Sequence, residues 1–135
     1  MIYVTRRATF NAAHRVFNTN LTDEENFKIF GKCSNPNWHG HNYVLEVVVA
    51  GEVNPETGYV IDLKVLKGIM QREIIEKVDH KNLNLEVDFM KGIQPSAENI
   101  TIQIWKQLEN KIPSGKLYSV KLYETENNYF EYRGK

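Results

Sequence analysis

Hydrophobic and polar residues alternate along four segments of the chain, and this period of two predicts four β-strands. The segments cover residues 2–13, 43–53, 117–125 and 129–133. The polar run Glu126-Asn127-Asn128 predicts a turn that joins the last two strands as a hairpin. In the first segment every second residue from Ile2 to Ala12 is apolar except Arg6, so the predicted strand carries one charge on an otherwise apolar face.

Apolar residues recur every three or four positions in two other segments, which predicts two amphipathic helices between the second and third strands. Asp62 is the predicted N-cap of the first helix and Ser96 that of the second. A shorter helix is predicted within residues 21–31, and a short extended piece at residues 59–61. The order of strand, strand, helix, helix, strand, strand predicts an α+β fold.

Composition limits the class of protein. The chain has 135 residues, of which 41% are hydrophobic and 25% charged, as expected for one soluble globular domain spanning residues 1–135. Because 17 basic residues balance 17 acidic ones, net charge gives no reason to expect a nucleic-acid partner. The single cysteine excludes an internal disulfide, and the sequence shows neither a signal peptide nor an apolar run long enough to span a membrane. We therefore expect a cytoplasmic protein.

Three histidines predict a metal site. His39 and His41 are two residues apart on an extended segment, so their side chains share one face about 6.5 Å apart. His14 ends the first predicted strand, and antiparallel pairing with the strand that holds the other two would bring all three together. Three histidine ligands with a fourth position open are typical of catalytic zinc. His80, beside Asp79 at the end of the first long helix, is not expected to be a ligand.

Cys33 and Glu124 are two further candidates for chemistry. A lone cysteine is commonly a small buried hydrophobe, but Cys33 has polar neighbours, which argues against a core position. Glu124 has the same strand parity as Val120 and Leu122 and so points with an apolar face, where a carboxylate is costly unless paired. It either reaches solvent at the strand end or binds paired N–H donors of a ligand such as a pterin or guanine.

The motifs together resemble the family of 6-pyruvoyl-tetrahydropterin synthases and 6-carboxytetrahydropterin synthases over nearly the full length. They are Arg6-Arg7, Ala13-His14-Arg15, Gly31-Lys32-Cys33, Asn35-Pro36-Asn37, His39-Gly40-His41-Asn42-Tyr43, Asp79-His80-Lys81-Asn82-Leu83, Glu98-Asn99 and Tyr123-Glu124-Thr125. The resemblance implies the T-fold (ββααββ), a four-stranded antiparallel sheet with two helices on one face. It also implies a homohexamer of two trimers with active sites between subunits.

The resemblance assigns a role to each candidate residue. His14, His39 and His41 would bind one Zn²⁺ per subunit, Cys33 would be the catalytic base, and Asp79 and His80 would assist proton transfer. Glu124 would anchor the pterin, with Glu98 as a further contributor unless it serves only its helix end. The implied reaction converts 7,8-dihydroneopterin triphosphate to 6-pyruvoyl-tetrahydropterin with loss of triphosphate, as in tetrahydrobiopterin biosynthesis, and Mg²⁺ is associated with this activity.

Two alternatives remain open on the sequence. The first is 6-carboxytetrahydropterin synthase of queuosine biosynthesis, which acts on the same substrate. The five residues between Cys33 and His39, and the preceding insertion, resemble the pyruvoyl enzyme instead. The second is a non-catalytic module that binds zinc or pterin in an assembly. Within the motifs, Trp38 replaces a frequent glycine, and Arg6, Arg7 and Arg15 are equivalent candidates for binding triphosphate.

Overall fold

The computed structural model describes residues 1–135 and has one mixed sheet with helices packed against it. Its strands are β1 (Ile2–His14), β2 (His39–Gly51), β3 (Lys81–Asn82), β4 (Lys116–Thr125) and β5 (Asn128–Tyr132). Helix α1 is Asp23–Phe30. Helix α2 runs from Leu63–Met70 through a π-helical stretch, Gln71–Ile75, into a last turn, Glu76–Val78; α3 is Ala97–Leu108. Short 3₁₀ turns occur at Gly31–Ser34 and Asp88–Met90.

The sheet has five strands rather than the predicted four, in the order β3-β1-β2-β4-β5. The four long strands are antiparallel to their neighbours, as predicted, and β3 adds two residues parallel to β1. A two-residue strand has no periodicity that a sequence could display, because it forms only where the chain leaving α2 passes along the edge of β1. The architecture is otherwise the expected α+β T-fold, with the small β3 as an addition.

The apolar faces of the strands and helices meet in one cluster of 22 buried residues. Tyr43, Leu45, Val47 and Val49 of β2 are completely buried in it, at the centre of the sheet. Helix α2 packs over β1, and α3 packs over β4 and β5. The expected extended piece at residues 59–61 is not a strand, although Val60 and Ile61 are buried. None of the helices combines the length and the apolar character needed to cross a bilayer.

Side chains cap all three helices, and at Asp62 and Ser96 they do so as the sequence predicts. Thr22 Oγ1 accepts from the Glu25 amide, and Glu25 Oε1 accepts from the Thr22 amide, which forms a complete capping box at α1. Asp62 Oδ1 caps α2, and Ser96 Oγ caps α3. Since each cap satisfies a backbone N–H that has no partner within the helix, these residues fix where the helices begin.

Candidate metal centre and active site

The register of β1 and β2 brings the three histidines together. His14 lies directly opposite His39, and His41 lies opposite Ala12, two residues away on the same face. The ring centroids are 4.5 Å apart for His14 and His39, 5.1 Å for His14 and His41, and 4.9 Å for His39 and His41. One ring nitrogen from each residue lies within 4.8 Å of the others. The antiparallel pairing predicted for these segments is confirmed, and the cluster can hold a metal ion.

Unpaired nitrogens show that these residues fit a metal. His39 Nδ1 and His41 Nε2 are buried without a hydrogen-bond partner, which is unfavourable for polar atoms unless something else binds them. The Nδ1–H of His14 donates to the Pro95 carbonyl at 2.7 Å, so its lone pair is on Nε2. A carbonyl that orients a ligand imidazole in this way is typical of metal-binding histidines.

Burial lowers the pKa of two of the three histidines, His14 and His39. Desolvation is the main cause that lowers the pKa of His14 from 6.5 to about 4, and it outweighs the hydrogen bond that His14 donates to the Pro95 carbonyl, which raises the value. Desolvation and the nearby His41 also lower the pKa of His39. Because a metal binds only the neutral imidazole, the Nε2 atom of His14 has no proton to lose at neutral pH before it coordinates an ion.

The lowered pKa of His14 predicts that the metal-free protein loses stability as pH falls from 6.5 towards 4. In this window the unfolded chain protonates His14 while the folded chain keeps it neutral, so the unfolded state binds more protons. The shift corresponds to a loss of up to about 3 kcal/mol in the free energy of unfolding. The melting temperature of chelator-treated protein, measured from pH 7.5 to 4.5, tests this. His14→Asn is the control, and parallel curves for both proteins would contradict the prediction.

Glu124 points into the histidine cluster. Its Oε2 atom lies 3.7 Å from His14 Nε2 and 3.9 Å from His41 Nε2, and its side chain is 22% exposed. Strand parity therefore predicted the correct face, and of the two alternatives for this carboxylate the structure favours the site over open solvent. Its partly exposed position leaves it within reach of a ligand that approaches the cluster.

Tyr43 is a site residue that the sequence analysis missed. Its side chain is completely buried, and its hydroxyl lies 3.4 Å from His14 Nε2, to which it donates. Burial, together with the charges of Glu124 and Cys33, raises the pKa of Tyr43 well above 10.0, so the hydroxyl stays protonated. The available signal was its position two residues after His41, on the same face of β2.

Cys33 lies on the 3₁₀ turn Gly31–Ser34 and its thiol is exposed. The alternative of a buried hydrophobic cysteine is therefore excluded. The Cys33 carbonyl accepts a hydrogen bond at 2.8 Å from the amide of Val16, which lies two residues after the cluster residue His14. The turn is thus fastened to the chain segment that leaves the cluster.

Asp79 and His80 are held on the outer edge of β1. Asp79 Oδ1 accepts from the Asn11 amide at 3.0 Å and lies 3.1 Å from His80 Nδ1. The Asn11 amide is the main cause that lowers the pKa of Asp79, and His80 adds to it. The His80 side chain is 76% exposed and borders a cavity of about 560 Å³ that His41 also lines, but Cys33 does not. Within one chain this cavity therefore connects His80 to the cluster residue His41 but does not reach the thiol.

Two non-glycine residues beside the site have left-handed backbones. Trp38, which precedes His39, has φ 69°, and His80 has φ 61°. A side chain in this region costs about 1–2 kcal/mol, and glycine would avoid the cost at Trp38. This is the physical reason that a glycine suits position 38.

The remaining predicted binding residues lie at different distances from the cluster. Glu98 is exposed in the first turn of α3, beside a groove of about 410 Å³ whose lining contains none of the three histidines. Arg6 is eight residues before His14 along β1, about 26 Å at 3.3 Å per residue. Arg7 is only one residue nearer. Of the three arginines, Arg15 alone adjoins the cluster of its own chain.

Comparisons with known proteins agree over almost the whole chain. The family model described as 6-pyruvoyl tetrahydropterin synthase matches residues 3–135. The 6-pyruvoyl tetrahydrobiopterin synthase of Pongo abelii is 48% identical over 132 residues, which cover 98% of this chain and 91% of that protein. The solved structure of Caenorhabditis elegans 6-pyruvoyl tetrahydropterin synthase superposes with a TM-score of 0.92 at 41% identity, covering 99% of this chain and 96% of that one. A 6-carboxy-5,6,7,8-tetrahydropterin synthase of Rickettsia felis is 30% identical over an alignment of 149 residues that covers 97% of this chain and 99% of that protein.

Proposed function

Because the chain belongs to the 6-pyruvoyl tetrahydropterin synthase family, we propose that its histidine cluster is the catalytic centre of that family's lyase reaction. The enzyme converts 7,8-dihydroneopterin triphosphate to 6-pyruvoyl-tetrahydropterin with loss of triphosphate. The observation that carries the proposal is the convergence of His14, His39 and His41 next to the Glu124 carboxylate. A family member with an unrelated function would have no need for unpaired buried nitrogens beside a carboxylate.

The ion we propose is Zn²⁺, one per subunit. Three imidazole nitrogens on two adjacent strands make a neutral, rigid set of three ligands, which leaves a coordination position for substrate. When bound there, Zn²⁺ supplies Lewis-acid polarisation of the oxygen atoms on the substrate side chain. Mg²⁺ would serve the triphosphate, because it prefers oxygen ligands.

The protein's own side chains would handle the protons. The exposed Cys33 thiol is the proposed base, since the turn that carries it is fastened beside His14 and leaves the sulfur accessible to a ligand. Asp79 accepts from Asn11 and faces His80 Nδ1, so it would orient the imidazole for proton transfer. Glu124 would accept hydrogen bonds from the paired N–H groups of the pterin ring.

The position of Asp79 and His80 supports a site completed by a second subunit. His80, with Asp79 against its Nδ1 atom, borders a cavity at the β1 edge that Cys33 does not line, although the proposed reaction needs all three groups at one substrate. We propose that residues 1–135 form one T-fold pterin synthase domain, that the enzyme is a homohexamer of two trimers, and that it acts in the cytoplasm. Glu98, exposed in the first turn of α3 beside a groove that β5 also lines, is proposed only as an outer contact to the pterin.

Product analysis tests the activity. Zinc-loaded protein is incubated with 7,8-dihydroneopterin triphosphate and Mg²⁺ under anaerobic, reducing conditions, and the products are identified by mass spectrometry. We expect 6-pyruvoyl-tetrahydropterin and triphosphate. The appearance of 6-carboxytetrahydropterin with acetaldehyde would instead assign the queuosine-type reaction. Substrate binding without turnover would favour the non-catalytic binding module.

Glu124→Gln should weaken substrate binding because the amide keeps the shape of the carboxylate but loses its charge. A hydrogen bond to a charged group contributes about 1.5–3 kcal/mol, so KM should rise about 10- to 100-fold. Steady-state kinetics and metal analysis of the variant measure the effect. Glu126→Gln, an exposed carboxylate in the β4–β5 turn, is the matched control and should behave as wild type. An unchanged KM for Glu124→Gln would rule out the pterin-anchor role.

A further inference from the structure

The side chain of Arg15 is fixed by three different partners. Its Nε–H donates to the Ser34 carbonyl at 2.7 Å, and Nη2 donates to Asp23 Oδ1 at 3.1 Å. The guanidinium carbon lies 3.8 Å from the centre of the Phe17 ring. Only 12% of the side chain is exposed. Arg15 is therefore already neutralised and largely covered by its own chain, unlike an arginine that waits for a phosphate.

The backbone around Arg15 is held equally firmly. Asn84 accepts from the Arg15 amide and donates to its carbonyl, both at 2.9 Å. Gln94 does the same for Phe17, at 3.3 Å and 2.8 Å. The two amide side chains thus replace a neighbouring strand where β1 has ended. The segment from His14 to Phe17 is therefore a rigid support from which the guanidinium extends.

The turn that carries Cys33 is held by this rigid segment. The Cys33 carbonyl accepts from Val16, and the next carbonyl, of Ser34, accepts from Arg15 Nε. Ser34 Oγ also donates to the Gly31 carbonyl at 2.8 Å and closes the turn on itself. The exposed thiol has no partner of its own, so its location relative to the histidine cluster is set by these two adjacent carbonyls.

We propose that Arg15 is a positioning residue that holds the Cys33 turn at a fixed distance from the metal ligand His14, and that it is not a triphosphate ligand. The inference rests on the proposed role of Cys33 as base. Because Arg15 directly follows His14 in the chain, it couples the position of the Cys33 thiol to the position of the metal. Asp23 balances the charge of the guanidinium and orients it from the first turn of α1.

The proposal predicts separate effects on kcat and KM. Arg15→Gln removes the fork of donors, and displacement of a reacting group by about 1 Å can lower the rate about 100-fold. We expect kcat to fall by about that factor, with KM and zinc content unchanged. Arg15→Lys should lower kcat similarly, because lysine keeps the charge but cannot donate to Ser34 and Asp23 in the same geometry. Asp23→Asn, which leaves the bond from Arg15 to Ser34, is the control: it should lower kcat less than Arg15→Gln does and should keep the wild-type KM.

A double-mutant cycle with Cys33→Ala separates positioning from general destabilisation. If Arg15 acts through Cys33, Arg15→Gln should cause no further loss of kcat in the Cys33→Ala protein. A rise in KM that Arg15→Lys restores would overturn the inference in favour of triphosphate binding. Equal losses in both backgrounds would overturn it as well. Full activity of the single variant Cys33→Ala would instead overturn the proposed role of Cys33 as base, and that result does not depend on any Arg15 variant.

Discussion

Cys33→Ala should lower kcat by about 10²- to 10⁴-fold, the usual contribution of a positioned general base. The same change should leave the melting temperature, zinc content and KM close to wild type. The thiol is exposed, belongs to no hydrophobic cluster and makes no side-chain hydrogen bond, so its removal leaves no cavity and no unpaired group. Steady-state kinetics with 7,8-dihydroneopterin triphosphate, thermal melting and metal analysis on one preparation measure all four quantities.

Cys33→Ser provides the matched control for this prediction. Serine occupies nearly the same volume but has a much higher pKa than the thiol, so it should remain almost as inactive as alanine. If Cys33→Ala kept more than about a tenth of wild-type kcat, the loss would be smaller than general-base catalysis usually contributes, and the thiol would be excluded as base. Wild-type protein that binds the pterin but does not turn it over would identify a binding module.

Much of the fold could be predicted because its determinants are local. Thr22 and Glu25 form their capping box within four residues, and Asp62 and Ser96 cap helices whose apolar stripes follow directly. The shared face of His39 and His41 follows from the two-residue period of a strand. The contribution of His14 required one long-range assumption, antiparallel pairing of the first two strands, and the register confirms it.

The rest of the site depends on contacts between distant parts of the chain. Pro95 orients His14 from 81 residues away, and Asn84 holds Arg15 from 69 residues away. Neither loop residue belongs to a periodic pattern, so no local signal pointed to its partner. β3 was missed for the same reason, since its two residues pair only where the chain passes β1. Tyr43 was visible as a strand residue, but its hydroxyl became informative only beside His14.

His41→Ala should abolish metal binding without unfolding the protein. Its Nε2 atom is buried and unpaired, and its ring is 20% exposed, so truncation removes a costly polar group and leaves the core intact. Because loss of a residue that merely orients a ligand weakens metal binding 10- to 100-fold, loss of a ligand itself should weaken it by more than about 100-fold. Zinc titration and the activity of the zinc-saturated variant measure the change, and kcat should fall below detection.

His14→Ala should lose the metal and stability together, which makes it the informative partner of His41→Ala. His14 is 1% exposed and donates to the Pro95 carbonyl, so its removal leaves a cavity and an unpaired buried acceptor costing about 1–3 kcal/mol. Added zinc should raise the melting temperature of wild type, since a ligand that binds only the folded state stabilises it, but should not raise that of either variant. A zinc-dependent rise in His41→Ala equal to that of wild type would mean that the ion binds elsewhere, and the histidine cluster would then have to be explained without it.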